Sequence, residues 1–102
     1  MYLFYFYVPE SHLEEVKTAV FKAGGGKFKN YDQCCFETRG KGQFRPLENS
    51  NPYLGNKNRL EIVDEVKVEL VCEASVRDNV KNALFNSHPY EEIAYGFIKI
   101  EN

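Results

Sequence analysis

Tryptophan is absent from the chain, and cysteine is scarce at three residues. Cys34, Cys35 and Cys72 are odd in number and lack the CxxC spacing of a zinc site, which argues against a disulfide framework or a structural zinc centre and for a reducing, cytoplasmic setting. Long apolar runs are missing too. Tyr2 to Val8 is seven residues long, has no basic stretch before it and runs at once into Pro9 and Glu10, so it reads as neither a signal peptide nor a membrane span. No charge of one sign dominates. Against 15 acidic residues stand 13 basic ones, a formal net charge of -2, without the broad cationic field that nucleic acid or an anionic membrane would call for. The sequence has no serine triad, metalloprotease helix or dinucleotide fingerprint. Gly24-Gly-Gly-Lys-Phe-Lys29 follows a helix instead of opening one and lacks the Gly-Lys-Ser/Thr ending of a phosphate loop, so its glycines read as a left-handed cap and a flexible turn.

What the chain has in quantity is aromatic residues, 8 Phe and 7 Tyr, gathered in strand-like segments. At 102 residues it is read as one domain spanning 1–102, because a second core would leave each half too short to cover its own apolar surface. Tyr2 to Val8 is the first strand. Ser11 and Glu14 form a capping box, and Leu13, Val16, Val20 and Ala23 recur on one helical face until Gly24, which predicts a helix over 11–23. Asn30 to Thr38 predicts a second strand, and Arg39-Gly-Lys-Gly42 offers the glycines of a tight reversal before Gln43-Phe-Arg45 returns. Pro46 to Asn58 carries two Pro, one Gly and four Asn and reads as an ordered loop held by Leu47, Tyr53 and Leu54, so 39–60 forms an extra hairpin and loop.

Leu60 to Glu73 alternates, with Val66, Val68, Leu70 and Cys72 on one face and Lys67 and Glu69 on the other, the pattern of a long strand. A second capping box, Ser75 with Asp78, opens a helix whose face is Val76, Val80, Ala83 and Leu84 and which must end before His88-Pro89. Ile93 to Ile100 is the last strand. The resulting βαββαβ order is that of the α+β ferredoxin-like fold, an antiparallel sheet in spatial order four, one, three, two with both helices on one face. The other face is left bare. Leu3, Tyr5 and Tyr7 alternate with Tyr2, Phe4, Phe6 and Val8, so whichever set faces the helices, the other needs cover. Self-association would supply it, a ring of subunits resolving the unpaired sheet edges as well; the Pro46 to Asn58 loop folded over that face is the alternative.

The same topology brings His12 towards the His88-Pro-Tyr-Glu-Glu92 segment, where His12, His88 and Glu91 are candidate ligands for zinc or copper. Against this stands a plainer reading, in which His88 caps the carbonyl end of the second helix and Glu91 and Glu92 are solvated. Cys34 and Cys35 point to opposite faces of a strand and, like Cys72, read as small buried hydrophobes.

Val8-Pro-Glu, the helix ending in Gly-Gly-Gly-Lys, Asn30-Tyr-Asp-Gln-Cys34, Gly42-Gln-Phe-Arg-Pro46, Asn51-Pro-Tyr53 and His88-Pro-Tyr-Glu-Glu92 with Ala94-Tyr95 occur in this order over nearly the whole chain. Together they resemble the CutA-like module of the YqfO branch of the Nif-three-like family. The resemblance implies a fold shared with CutA and PII-type trimers, and a homotrimer. It also implies a module that is usually inserted into a larger two-lobed protein, whose lobes carry a two-metal site. No residue here matches those metal ligands, so this chain is expected to be that module standing alone and not an enzyme, with a separately encoded lobe protein as a candidate partner. The motifs characteristic of the module make Tyr31, Asp32, Tyr90 and Glu92 the candidate ligand-binding residues. The function expected is an oligomeric regulatory or scaffold module, with divalent-metal binding of the CutA type as the alternative.

Overall fold

In the computed structural model, which describes residues 1–101, alternation in the first strand decides which side of the sheet is covered. Phe4, Phe6 and Val8 of β1 (Tyr2–Pro9) are fully buried, whereas Leu3 and Tyr5 are only partly covered and Tyr7 is exposed. The buried set meets Val66, Val68, Leu70 and Cys72 of β3 (Glu61–Cys72), together with Leu13, Val16 and Val20 of α1 (Leu13–Lys22) and Val80 and Leu84 of α2 (Arg77–Ser87), in a single core. Both helices thus lie on one face, and fully burying each such side chain contributes about 1.5–3 kcal/mol. With β2 (Phe36–Phe44) and β4 (Tyr95–Lys99), the sheet runs β2-β3-β1-β4, all neighbours antiparallel. The α+β βαββαβ fold expected from the sequence is present, and no helix among the described residues is long and apolar enough to cross a membrane.

Four local expectations are corrected. Arg39 to Gly42 is no reversal: β2 runs straight through it, in register with β3 from Phe36 opposite Glu69 to Phe44 opposite Glu61. The connection between these two strands is the whole 45–60 loop. Glycine here makes room instead of turning the chain. A side chain at Gly40 would meet open space, but a Cβ at Gly42 would run into the Glu65 carboxylate on the neighbouring strand.

Neither capping box forms. Each helix is entered through a short 3-10 turn, Glu10–His12 and Ala74–Val76, so that Ser11 and Ser75 sit inside the turns and the helix N-caps are His12 and Val76, without side-chain caps. Ser11 Oγ lies 2.9 Å from His12 Nδ1 instead. The segment from Asn30 reads as strand only from Phe36 on; before it, Phe28 and Tyr31 pair across a tight turn in which Lys29 has φ 54°, and Cys34 N–H returns to the Gly26 carbonyl at 2.9 Å. Last, β4 begins at Tyr95 and not at Ile93, although Ile93 still packs on the core.

Leu3, Tyr5 and Tyr7 face away from the helices, beside Phe36 of β2 and Ile98 of β4 in the cross-strand register. The 45–60 loop reaches only the Tyr7 end of this surface. At its other end Phe36 and Ile98 are 69% and 51% exposed, so in the single chain the loop does not cover the sheet. The glycine assignments are open to a paired test. Gly40→Ala should leave stability within about 0.5 kcal/mol. Gly42→Ala should cost about 1–2 kcal/mol in urea unfolding through the displaced Glu65 and its hydrogen bond, and equal costs would refute the assignment.

Candidate functional site

The end of α2 determines how this region is built. Pro89 cannot continue the helix and disfavours helical backbone at His88, which adopts φ -79°, ψ 138° while its N–H still reaches the Leu84 carbonyl at 2.9 Å. The imidazole turns inward and is 7% exposed. Its Nε2–H donates to the Tyr7 carbonyl at 2.8 Å, and its Nδ1 accepts the Tyr90 N–H at 3.1 Å. One donating and one accepting nitrogen define the neutral ring in a single tautomer. Burial lowers the His88 pKa below 6.5, the bond to the Tyr7 carbonyl opposes the shift, and the nearby His12 adds to it.

Tyr90 stacks obliquely on His88, with ring centroids 5.0 Å apart, and its hydroxyl donates to Glu65 Oε2 at 3.1 Å. Burial, reinforced by the Glu65 charge, pushes the phenol far above its ordinary value of 10. The Glu65 side chain is accommodated because Gly42 has none. From the other direction the loop is tied in, since Asn51 N–H donates to Glu91 Oε2 at 2.7 Å and the Tyr53 ring meets His12 edge-on at 5.5 Å.

Between the loop, the end of the open sheet face and the 90–94 segment lies a cleft of about 440 Å³. That size falls within the roughly 300–1,000 Å³ of small-molecule sites. Tyr7, Phe44, Tyr53 and Tyr90 supply aromatic walls, Pro46 and Leu54 aliphatic ones. Glu65, Glu91, Glu92 and Arg45 supply the charges.

Of the residues singled out from sequence, His12, His88, Tyr90, Glu91 and Glu92 all belong to this end of the sheet, as the topology requires, and Tyr90, Glu91 and Glu92 line the cleft. His12, His88 and Glu91, the expected zinc or copper ligands, are not brought together as one group. Among the described residues no three His, Cys, Asp or Glu side chains gather as a metal-holding group, and both nitrogens of His88 are committed elsewhere. Nor does His88 cap α2 with its ring, which faces strand β1. Tyr31 and Asp32 line a separate shallow hollow with Lys27, Lys29 and Asn30, so the expected four-residue ligand set divides between two places. Cys72 is buried and Cys35 packs on the core, where burial raises both thiols above their ordinary range. Tyr7, Phe44 and Glu65 went unnoticed in the sequence as site residues. Their only signal is register: Tyr7 opposite Lys67, and Gly40 opposite Glu65, with Gly42 one strand step further along.

No protein-family model matches the chain. It is 42% identical over 95 residues to the GTP cyclohydrolase 1 type 2 homolog of Bacillus subtilis (strain 168), covering 93% of this chain and 26% of that protein. To the protein of the same name from Mycobacterium leprae (strain TN) it is 40% identical over 89 residues, covering 87% and 23%. Among solved structures, a Bacillus cereus protein related to NIF3 superposes with a TM-score of 0.84 at 37% identity, over 99% of this chain and 26% of that one. The PII-like protein CutA from Nostoc sp. PCC 7120 superposes with a TM-score of 0.69 at 16% identity, over 100% and 83%, a likeness of fold alone. The chain therefore spans about a quarter of the length of the curated relatives it matches.

The lowered pKa of His88 has a defined consequence for stability. The unfolded chain takes up the His88 proton at a higher pH than the folded one, so the contribution of this residue is full above about pH 6.5 and is lost as the pH falls through the lowered value. Urea unfolding from pH 7.5 to 5 should give a declining stability that flattens in His88→Gln. An equal decline in both proteins would contradict the assignment.

Proposed function

We propose that this chain, a CutA-like module homologous to about a quarter of the length of NIF3-related proteins, works as a self-associating module that binds a small ligand in the cleft at the end of its sheet. The observation that carries the reading is the cleft itself, about 440 Å³ in volume and walled by four aromatic rings. Its scaffold is already ordered: His88, Tyr90, Glu65 and Glu91 are each engaged in internal hydrogen bonds, which favours a binding role over a catalytic one for them. The cyclohydrolase name belongs to proteins of which this chain spans about a quarter, and the reading does not extend that activity to it. Self-association is supported by the open sheet face, where Phe36 and Ile98 remain exposed, and by the resemblance to trimer-forming modules.

Two measurements test the reading. In a screen of small fragments followed by amide NMR, binders should move the signals of Tyr53, Tyr90 and Ala94 and not those of Lys29 to Asp32; a screen without cleft binders, or with binders only at the 27–32 hollow, would count against it. In light scattering the protein should have three times its chain mass of 11.8 kDa, and Ile98→Lys should lower that mass. A monomer at concentrations around 100 µM would overturn the self-association.

A further inference from the structure

The cleft has a chemical bias. Tyr90 stands at its centre, with the Phe44 ring 6.0 Å away at 58° and the Tyr53 ring 6.4 Å away at 47°. Rings tilted in this way enclose a corner instead of stacking flat on one another. Aromatic faces attract cations and repel anions, by about 0.5–2 kcal/mol per good contact. The Tyr90 hydroxyl is drawn aside to Glu65.

Charge points the same way. Three carboxylates, Glu65, Glu91 and Glu92, line the cleft against one cation, Arg45, and among the described residues none of the three carboxylates takes part in an ion pair. Glu91 is partly satisfied by the Asn51 N–H. Glu65 is partly buried and accepts from the neutral Tyr90 hydroxyl, so its negative charge meets no positive partner in an environment less polar than water. Lys41, which also reaches towards β3, is occupied by Asp64. The volume, about 440 Å³, suits a small molecule better than a polypeptide segment.

We infer that the cleft takes a small organic cation, its ammonium group seated against the Phe44, Tyr53 and Tyr90 rings, since Lys67 already lies over Tyr7, with Glu65 and Glu92 as counter-charges. The inference rests on the reading of this cleft as the ligand site and adds the class of ligand. Arg45 lies just beyond the end of β2 and is exposed, as are Glu91 and Glu92, which leaves the carboxylate of Glu65 as the partly buried charge of the lining.

The test is an NMR titration of the whole chain with three probes of similar shape: benzyltrimethylammonium, its neutral isostere neopentylbenzene, and phenylmethanesulfonate. The cation should shift the Tyr53, Tyr90 and Ala94 amides saturably and bind about tenfold or more tightly than either companion. Glu65→Gln keeps an acceptor for the Tyr90 hydroxyl and should weaken the cation about tenfold, with its melting curve checked alongside. Arg45→Gln should bind the cation at least as tightly as the parent. Equal or tighter binding of the neutral or anionic probe at the same amides overturns the cation assignment while leaving the cleft a ligand site. Failure of all three probes to reach the cleft overturns the assignment and counts against the site as well.

Discussion

A single buried imidazole holds together the part of this molecule that distinguishes it from a bare ferredoxin-like sheet. His88 donates one hydrogen bond to the Tyr7 carbonyl at the end of β1 and accepts one from the Tyr90 amide, and the two bonds are possible together only for the neutral ring in one tautomer. The Tyr7 N–H still bonds to the Ala94 carbonyl at 3.0 Å, but the carbonyl that would continue the ladder is occupied by His88. Strand β4 therefore starts only at Tyr95, and the 88–94 segment is free to leave the sheet plane as one wall of the cleft. From Tyr90 the connection passes to Glu65 and to the space above Gly42, so that groups from β1, β2, β3 and the end of α2 are held in one arrangement.

The two faces of the sheet divide the remaining work. One is closed by the helices around a core of Phe, Val and Leu, with no buried side-chain polar atom among the described residues left unpaired. The other carries Leu3, Tyr5 and Tyr7, with the Lys67 ammonium 5.4 Å from the Tyr5 ring centre and 5.9 Å from that of Tyr7. Gly96 lies under Tyr5, whose ring occupies the space a side chain there would take. A surface of this kind has a reason to be covered, and the loop covers only one end of it. Cleft and open face thus adjoin through Tyr7.

Much of this was legible in the sequence because it depends on periodicity. The alternation in Leu60 to Glu73, the helical spacing of Val16, Val20, Val80 and Leu84, and the stop at His88-Pro89 are local patterns that tertiary packing did not override. Where the reading failed, one residue type had two physical uses. Glycines at 40 and 42 signalled a turn but serve cross-strand clearance. Ser11 and Ser75 signalled helix caps, yet each is the middle residue of a 3-10 turn that precedes its helix. His88 offered a ligand or a dipole partner, and the strand carbonyl it meets lies 81 residues away in sequence, beyond any local pattern. The convergence of His12 with the 88–92 segment was legible from topology; that aromatic rings and hydrogen bonds, with no metal-holding group, would fill the junction was not.

The claim on which the account stands is that His88 is a neutral, fixed bridge between β1 and the cleft wall. Nitrogen-15 NMR of the imidazole at pH 7 measures this directly. The account predicts a protonated Nε2 and an unprotonated Nδ1, with the Nε2 proton coupled across its hydrogen bond to the Tyr7 carbonyl. A protonated Nδ1, or a ring averaging between tautomers, would contradict it.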